Sequence, residues 1–190
     1  PVPKAPWDGV RNALAFGATA QRGDPGVTLI PEPSVEGEST LNVNVFTRSP
    51  APAAPGEGLP VLVWIHGGGY VAGSPASPWY DGRNFTRDGV VTVTISYRLG
   101  FDGFGWVEGA PQNRGVLDWL LALEWVQRNV AAFGGDPGRV TIAGQSAGGG
   151  AVLTLLGMER AQHLFHRVYA ISGATADVSE ARARRLAGEI

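Results

Sequence analysis

The 190-residue chain is 44% hydrophobic and 17% charged, with a formal net charge of −2. That balance suits one folded domain with a buried core and excludes a disordered chain, while 15 basic residues scattered against 17 acidic ones make no surface for nucleic acid. There is no cysteine, which removes disulfides, a thiol nucleophile and thiolate metal sites, and His66, His163 and His166 are too few for a histidine-rich metal centre, so neither metal nor cofactor is expected.

Residues 1–40 are rich in Pro and Gly without a sustained period and read as irregular surface chain, with Trp7 and Phe16 as the anchors that pin it. Leu41-Asn42-Val43-Asn44-Val45-Phe46 alternates apolar and polar, the pattern of a half-buried strand. A Pro/Ala/Gly connector from Ser49 to Leu59 follows, read as a long hairpin loop because Val61-Leu62-Val63-Trp64-Ile65 begins at once. That second strand is continuously apolar and should be central, covered on both faces. Val90 to Ser96 is a third, β-branched strand, and Tyr97 to Ala110 a loop rich in glycine and aromatics. Asn113 to Asn129 is predicted to be a well-buried helix whose charges fall as Arg114/Asp118 and Glu124/Arg128, i,i+4 pairs expected to be ordinary helix surface. Phe133-Gly134-Gly135-Asp136-Pro137-Gly138 turns the chain back. Strand Arg139–Ala143, a helix through Gly149–Leu156, strand Arg167–Ile171 and a helical run from Ser179 to Ile190 complete it. The order is that of an α/β domain with a mostly parallel sheet and an antiparallel start. No apolar run approaches a membrane span. The chain starts at Pro1 without an initiator Met or signal peptide and ends inside a helical run. The expectation is an internal piece of a longer polypeptide, its compartment open between cytoplasmic and secreted and its oligomeric state open as well.

Two segments carry chemistry. Gly144-Gln145-Ser146-Ala147-Gly148 reads G-x-S-x-G between a strand and a helix, the context of a nucleophile elbow. A sharp strand-to-helix turn leaves no room for Cβ atoms at its flanks, so glycines there are needed, and Ser146 is lifted out of the sheet edge. The N–H of Ala147 lies in the first helical turn, where amides have no intrahelical partner and negative charge is favoured. A plain Gly/Ser turn would explain the five residues alone. The second segment is His66-Gly67-Gly68-Gly69-Tyr70, at the carboxyl end of the central strand. Three glycines are conformationally costly there, and are explained if the backbone must approach a ligand and direct amides at it, as in an oxyanion hole of the H-G-G-G type. A flexible turn is the alternative.

The set of motifs resembles the type-B carboxylesterases, the cholinesterase-like branch of the α/β-hydrolases. Leu41-Asn42-Val43, Leu59 to Tyr70, Tyr80-Asp81-Gly82, Ser96 to Gly100, Asn113 to Asp118, Ala122 to Gln127, Phe133 to Pro137, Val140 to Gly149 and Leu164 to Gly173 occur in the family's order, with the weakest match over residues 17–38. The resemblance implies an α/β-hydrolase fold, mostly parallel with helices on both faces and incomplete at both ends of residues 1–190. It implies a nucleophile at Ser146, oxyanion donors from the N–H groups of Gly68, Gly69 and Ala147, and hydrolysis of a small-molecule ester through an acyl-enzyme. His66 takes a structural, loop-fixing role in this reading.

The departures are specific. A family disulfide would need Cys near positions 19 and 38, where Thr19 and Glu38 stand, so the early loop is expected to be unstapled. Residues 17–40 contain no Trp, and Gln145 replaces the acid that precedes the cholinesterase serine; both argue against choline esters and for a general, bacterial-like esterase. A serine nucleophile also needs a base and an orienting acid. His163 and His166 precede a strand and belong at the wrong sheet edge; Asp177 follows one and is the best stand-in acid. The family's acid and His are expected beyond residue 190, leaving this piece inactive on its own. The competing readings are a non-catalytic cholinesterase-like interaction domain and a thioester or amide hydrolase of the same fold.

Overall fold

Strand β2 (Leu59–Ile65) is the centre of a five-stranded sheet, with β3 (Val91–Ile95) on one side and β4 (Gly135–Gln145) on the other, all parallel. The edges are β1 (Val43–Phe46), antiparallel to β3, and β5 (Arg167–Ile171), parallel to β4. This is the computed structural model of the chain, and it describes residues 7–21, 26–48, 50–52, 54, 56–175 and 177–189. The mostly parallel sheet with an antiparallel start is as expected, but the first connection is not a hairpin. Val43 pairs with Ile95, not with β2, so the connector crosses a strand; its residues 49, 53 and 55 lie outside the described ones. All five residues of β3 are buried, and a strand buried on both faces gains most by being flanked on both sides. It therefore takes the position between β1 and β2.

The sheet's two faces are filled differently. Val61, Val63 and Ile65 of β2 and Ile142 of β4 meet the buried faces of α3 (Arg114–Asn129) and α4 (Ala147–Leu156), through Trp119, Leu123, Ala151 and Leu155. The alternate residues Leu62 and Trp64 are only half-buried. They share a cavity with Tyr80 and with Phe85 of α1 (Arg83–Arg87), Trp64 and Tyr80 having ring centroids 5.5 Å apart. Full cover of β2 on both faces is thus realised on one face only.

Charges expected on the surface of α3 are used inside. Asp118 is almost fully buried and binds Arg98, whose Nη2 and Nε donate to its two carboxylate oxygens at 2.7 and 2.8 Å. Arg114 is buried too and donates to the carbonyls of Phe101, Asp102, Gly105 and Pro111 at 2.8–3.0 Å. Glu124 pairs with Arg160 rather than Arg128. A buried arginine must spend its donors on acceptors within the fold, and that demand outranks an exposed i,i+4 pair worth only about 0.3–0.5 kcal/mol. All but Pro111 O belong to the segment read as a loop, Tyr97 to Ala110, which contains the short helix α2 (Gly100–Phe104). The last helix, α5 (Glu180–Ala187), starts at a Ser179 cap and ends at Gly188 rather than running to residue 190.

The early segment is anchored by residues other than the two aromatics. Trp7 and Phe16 are 52% and 43% exposed, whereas Thr19 and Gln21 are buried. Thr19 closes a loop without a covalent staple: its N–H donates to Val35 O at 3.0 Å, and its Oγ1 accepts from Val35 N–H at 2.9 Å. Residues 1–6 and 22–25 of this segment lie outside the described ones.

Candidate active site

The register brings the carboxyl ends of three strands level, Ile65 opposite Gly144 and Gln145 opposite Ile171. Ser146 follows β4 with φ 57° and ψ −122°, a region that costs a non-glycine residue about 1–3 kcal/mol and that persists only where neighbours impose it. Here they do: Ser146 N–H donates to Ile171 O at 2.9 Å and its carbonyl accepts from Gly150 N–H at 2.9 Å. The flanking glycines are required by contact. A Cβ on Gly148 would overlap Ile65 O, and one on Gly144 would overlap Gly148 O. The hydroxyl is thereby carried on a half-buried residue at the sheet edge, and among the described residues no group hydrogen-bonds to Ser146 Oγ.

The glycine loop leaves β2 directly beside it. A Cβ on Gly67 would stand 3.3 Å from Ser146 Cβ and 2.7 Å from Gln145 O, so only glycine lets the two segments abut. His66 is buried, its ring stacked on Tyr97 at 4.4 Å, and Tyr97 Oη donates to His66 O at 2.8 Å. His66 Nδ1 lies 2.7 Å from Gly67 O; a carbonyl can only accept, so Nδ1 carries the proton. The expected loop-fixing place of His66 is what this geometry describes.

The hydrogen bonds of this loop fall on carbonyls whose peptide planes carry the three amides of interest. In a trans peptide the N–H points opposite the C=O. His66 Nδ1–H holds Gly67 O, which sets the direction of Gly68 N–H. The N–H groups of Val71 and Ala72 hold Gly68 O, at 3.1 and 3.0 Å, which sets Gly69 N–H. Gly150 N–H holds Ser146 O and so sets Ala147 N–H. Among the described residues no carbonyl accepts from any of these three amides. Ser146 Oγ and these three amides are thus left with unused hydrogen-bonding capacity among the described residues.

Burial depresses the His66 pKa from its usual value near 6.5 to about 4, against a smaller opposing effect of the Gly67 hydrogen bond. The unfolded chain therefore binds more protons between those two values, and the neutral imidazole contributes stability that is complete above pH 6.5 and is lost as pH falls through 6.5 toward 4. The urea midpoint should fall over that window by a few kcal/mol equivalent, and a His66→Gln variant should flatten the profile. A wild-type midpoint independent of pH across the window would contradict this.

The other candidate residues are not assembled with Ser146. His166 sits beside the middle of β4, its N–H donating to Val140 O at 2.8 Å. Six residues of strand at about 3.3 Å each separate that contact from Ser146, about 20 Å. His163 is exposed on the approach to β5, and Asp177 is exposed beyond it with no hydrogen bond to Ser146 or to a histidine among the described residues. In sequence Tyr70 reads only as the end of the glycine motif, without a role of its own. Tyr70, at φ 63°, ends the glycine loop; its ring lies 5.0 Å from Phe104 and 5.9 Å from Trp119, its carbonyl accepts from Gly100 N–H at 2.7 Å, and its Oη abuts Gly150. The available signal was its place directly after three glycines.

Comparison with known proteins agrees on one group. The carboxylesterase family profile matches residues 1–188. The para-nitrobenzyl esterase of Bacillus subtilis (strain 168) is 40% identical over 189 residues, which cover 96% of this chain and 38% of that protein. Carboxylesterase 1D of Rattus norvegicus is 41% identical over 185 residues, 91% of this chain and 32% of that protein. A solved PNB esterase superposes with a TM-score of 0.77 at 38% identity, over 92% of this chain and 36% of that one. The chain thus spans about a third of the length of the relatives it matches.

Proposed function

The chain belongs to the carboxylesterase family and has its α/β-hydrolase fold, and from that premise we propose that it carries the nucleophile and oxyanion hole of a serine hydrolase acting on small-molecule carboxylic esters. The single observation that carries the reading is a backbone-strained Ser146, its hydroxyl free of hydrogen bonds among the described residues, beside a glycine loop in which Gly68 and Gly69 N–H, like Ala147 N–H, have no acceptor among those residues while their peptide planes are held from the carbonyl side. Ser146 Oγ attacks the ester carbonyl as its proton passes to a base. The carbonyl oxygen becomes an oxyanion and is bound by Gly68, Gly69 and Ala147 N–H, each such donor being worth about 3–4 kcal/mol in the transition state. The alcohol leaves with the proton, and water then hydrolyses the acyl-serine by the same path.

In this reading residues 1–190 are one partial domain, and the imidazole base and its acid come from chain outside it. Its support is that the matched relatives are about three times longer and that none of His66, His163 and His166 hydrogen-bonds to Ser146 Oγ among the described residues. The substrates are uncharged esters rather than choline esters, on the strength of Gln145 before the serine and the absence of Trp from residues 17–40.

A fluorophosphonate probe on the full-length protein tests the proposal. Labelling should map to Ser146 and accompany p-nitrophenyl acetate turnover, while the isolated 190-residue chain should turn the ester over only at trace rate. A folded full-length protein that takes up no probe would instead be a binding module.

A further inference from the structure

The loop closed by Thr19 and Val35 is tied to the glycine loop by one side chain. Gln21 is 9% exposed. Its backbone carbonyl accepts from Thr19 Oγ1 at 2.9 Å and from Ser34 Oγ at 2.7 Å, and its Nε2 donates to Glu32 O at 3.2 Å. Its carbonyl and its side-chain nitrogen are thus spent within the loop. Its Oε1 accepts from Gly73 N–H at 2.7 Å, a buried bond between residues 52 apart in sequence. The partners settle which amide atom is which, since Glu32 O can only accept and Gly73 N–H only donate.

Gly73 is no ordinary end of a turn. Its φ is +107°, and a Cβ there would overlap both Gly67 O and His66 Nδ1. Its backbone is therefore seated against the hydrogen bond that holds Gly67 O and, through the peptide plane, directs Gly68 N–H.

We propose that Gln21 is a positioning residue for the oxyanion hole: by holding Gly73 N–H it fixes the wall against which His66 grips Gly67 O. The proposal rests on the serine-esterase reading above. It places the early loop, which has neither the family's disulfide cysteines nor a tryptophan, in the service of transition-state binding. The alternative is that the bond merely stiffens residues 19–35 and leaves the chemistry alone. The two differ in what they change. A misdirected Gly68 N–H weakens the interaction with the oxyanion and spares the ground-state ester, so kcat falls while KM holds.

The test uses the full-length enzyme and a p-nitrophenyl ester. Gln21→Leu, close in volume but without the acceptor, should lower kcat by about 10- to 100-fold with KM nearly unchanged. The Ki of a trifluoromethyl ketone, which forms a tetrahedral oxyanion adduct on the serine, should rise by the same factor. Thr28→Ala, which removes a hydroxyl bound within the loop to Ile30 O, should leave kcat and Ki at wild-type values. Should Gln21→Leu fail to fold, Gln21→Asn, one methylene shorter and unable to span the same gap, carries the same expectation. An unaltered kcat in a folded Gln21→Leu or Gln21→Asn, a Ki that does not move with kcat, or an equal loss in Thr28→Ala would overturn the proposal while wild type is labelled and active. A wild type that neither labels nor turns over would instead sink the serine reading itself.

Discussion

Ser146→Ala in the full-length protein should abolish fluorophosphonate labelling and lower kcat on p-nitrophenyl acetate by about a million-fold, the cost seen when a serine nucleophile is removed from a working triad. The loss should fall on kcat and kcat/KM alike, because the acyl-enzyme path disappears while the binding surfaces stay. Stability should barely change. Alanine keeps the Cβ, the Ser146 N–H bond to Ile171 O and the Gly150 N–H bond to Ser146 O, and loses only a hydroxyl that has no hydrogen-bond partner among the described residues. The strain at φ 57° is common to both residues and cancels in the comparison. The urea midpoint of the variant should therefore match wild type within about 0.5 kcal/mol, the range of substitutions that disturb no contact. A variant retaining even a hundredth of the wild-type rate, with contamination excluded by active-site titration, would place the nucleophile elsewhere.

Gly148→Ala acts on the same elbow through shape alone. Two effects oppose each other. Alanine is the better helix former by about 1 kcal/mol. Against that, its Cβ would overlap Ile65 O, a backbone atom at the end of the central strand that no rotamer change can move aside. Overpacking of this kind costs about 1–3 kcal/mol where side chains can yield, and the upper end or more is expected where the clash is with backbone. The steric effect wins, so the midpoint should drop by about 3 kcal/mol, and relief of the clash would push His66 and Gly67 away from Ser146, taking probe labelling with it. Gly157→Ala at the other end of α4 is the control. A Cβ there would make only an ordinary contact, 3.6 Å from Thr154 O, at a φ of −83°. It should be neutral or gain up to about 1 kcal/mol. If both substitutions behave alike, the close approach of α4 to β2 is not what demands the glycine.

Local pattern and chemistry were enough for the elements that are long, periodic or strictly constrained. The β-branched run at 91–95 could only be a covered strand, the apolar face of 114–129 only a packed helix, and Gly144 and Gly148 each stand where a Cβ would meet a backbone oxygen. Gly68, Gly69 and Ala147 were legible for a related reason: glycine runs and helix N-termini announce free amides in the chain itself. Partner choice was not legible. Whether β1 lies beside β2 or β3 depends on which neighbour buries a strand already apolar on both faces, and pairing registers leave no mark in either sequence alone. Arg114 and Asp118 read as a surface pair because spacing reports proximity along a helix and says nothing of the carbonyls of residues 101–111 folding over it. The irregular segment hid most. Thr19 and Gln21 carry no periodic signal, and their importance arises from bonds to Val35 and Gly73, residues 16 and 52 positions away. The chain therefore declares the proposed nucleophile and the proposed oxyanion donors locally, because those depend on backbone conformation, whereas what holds these amides in place is long-range hydrogen bonding that exists only once the fold has closed.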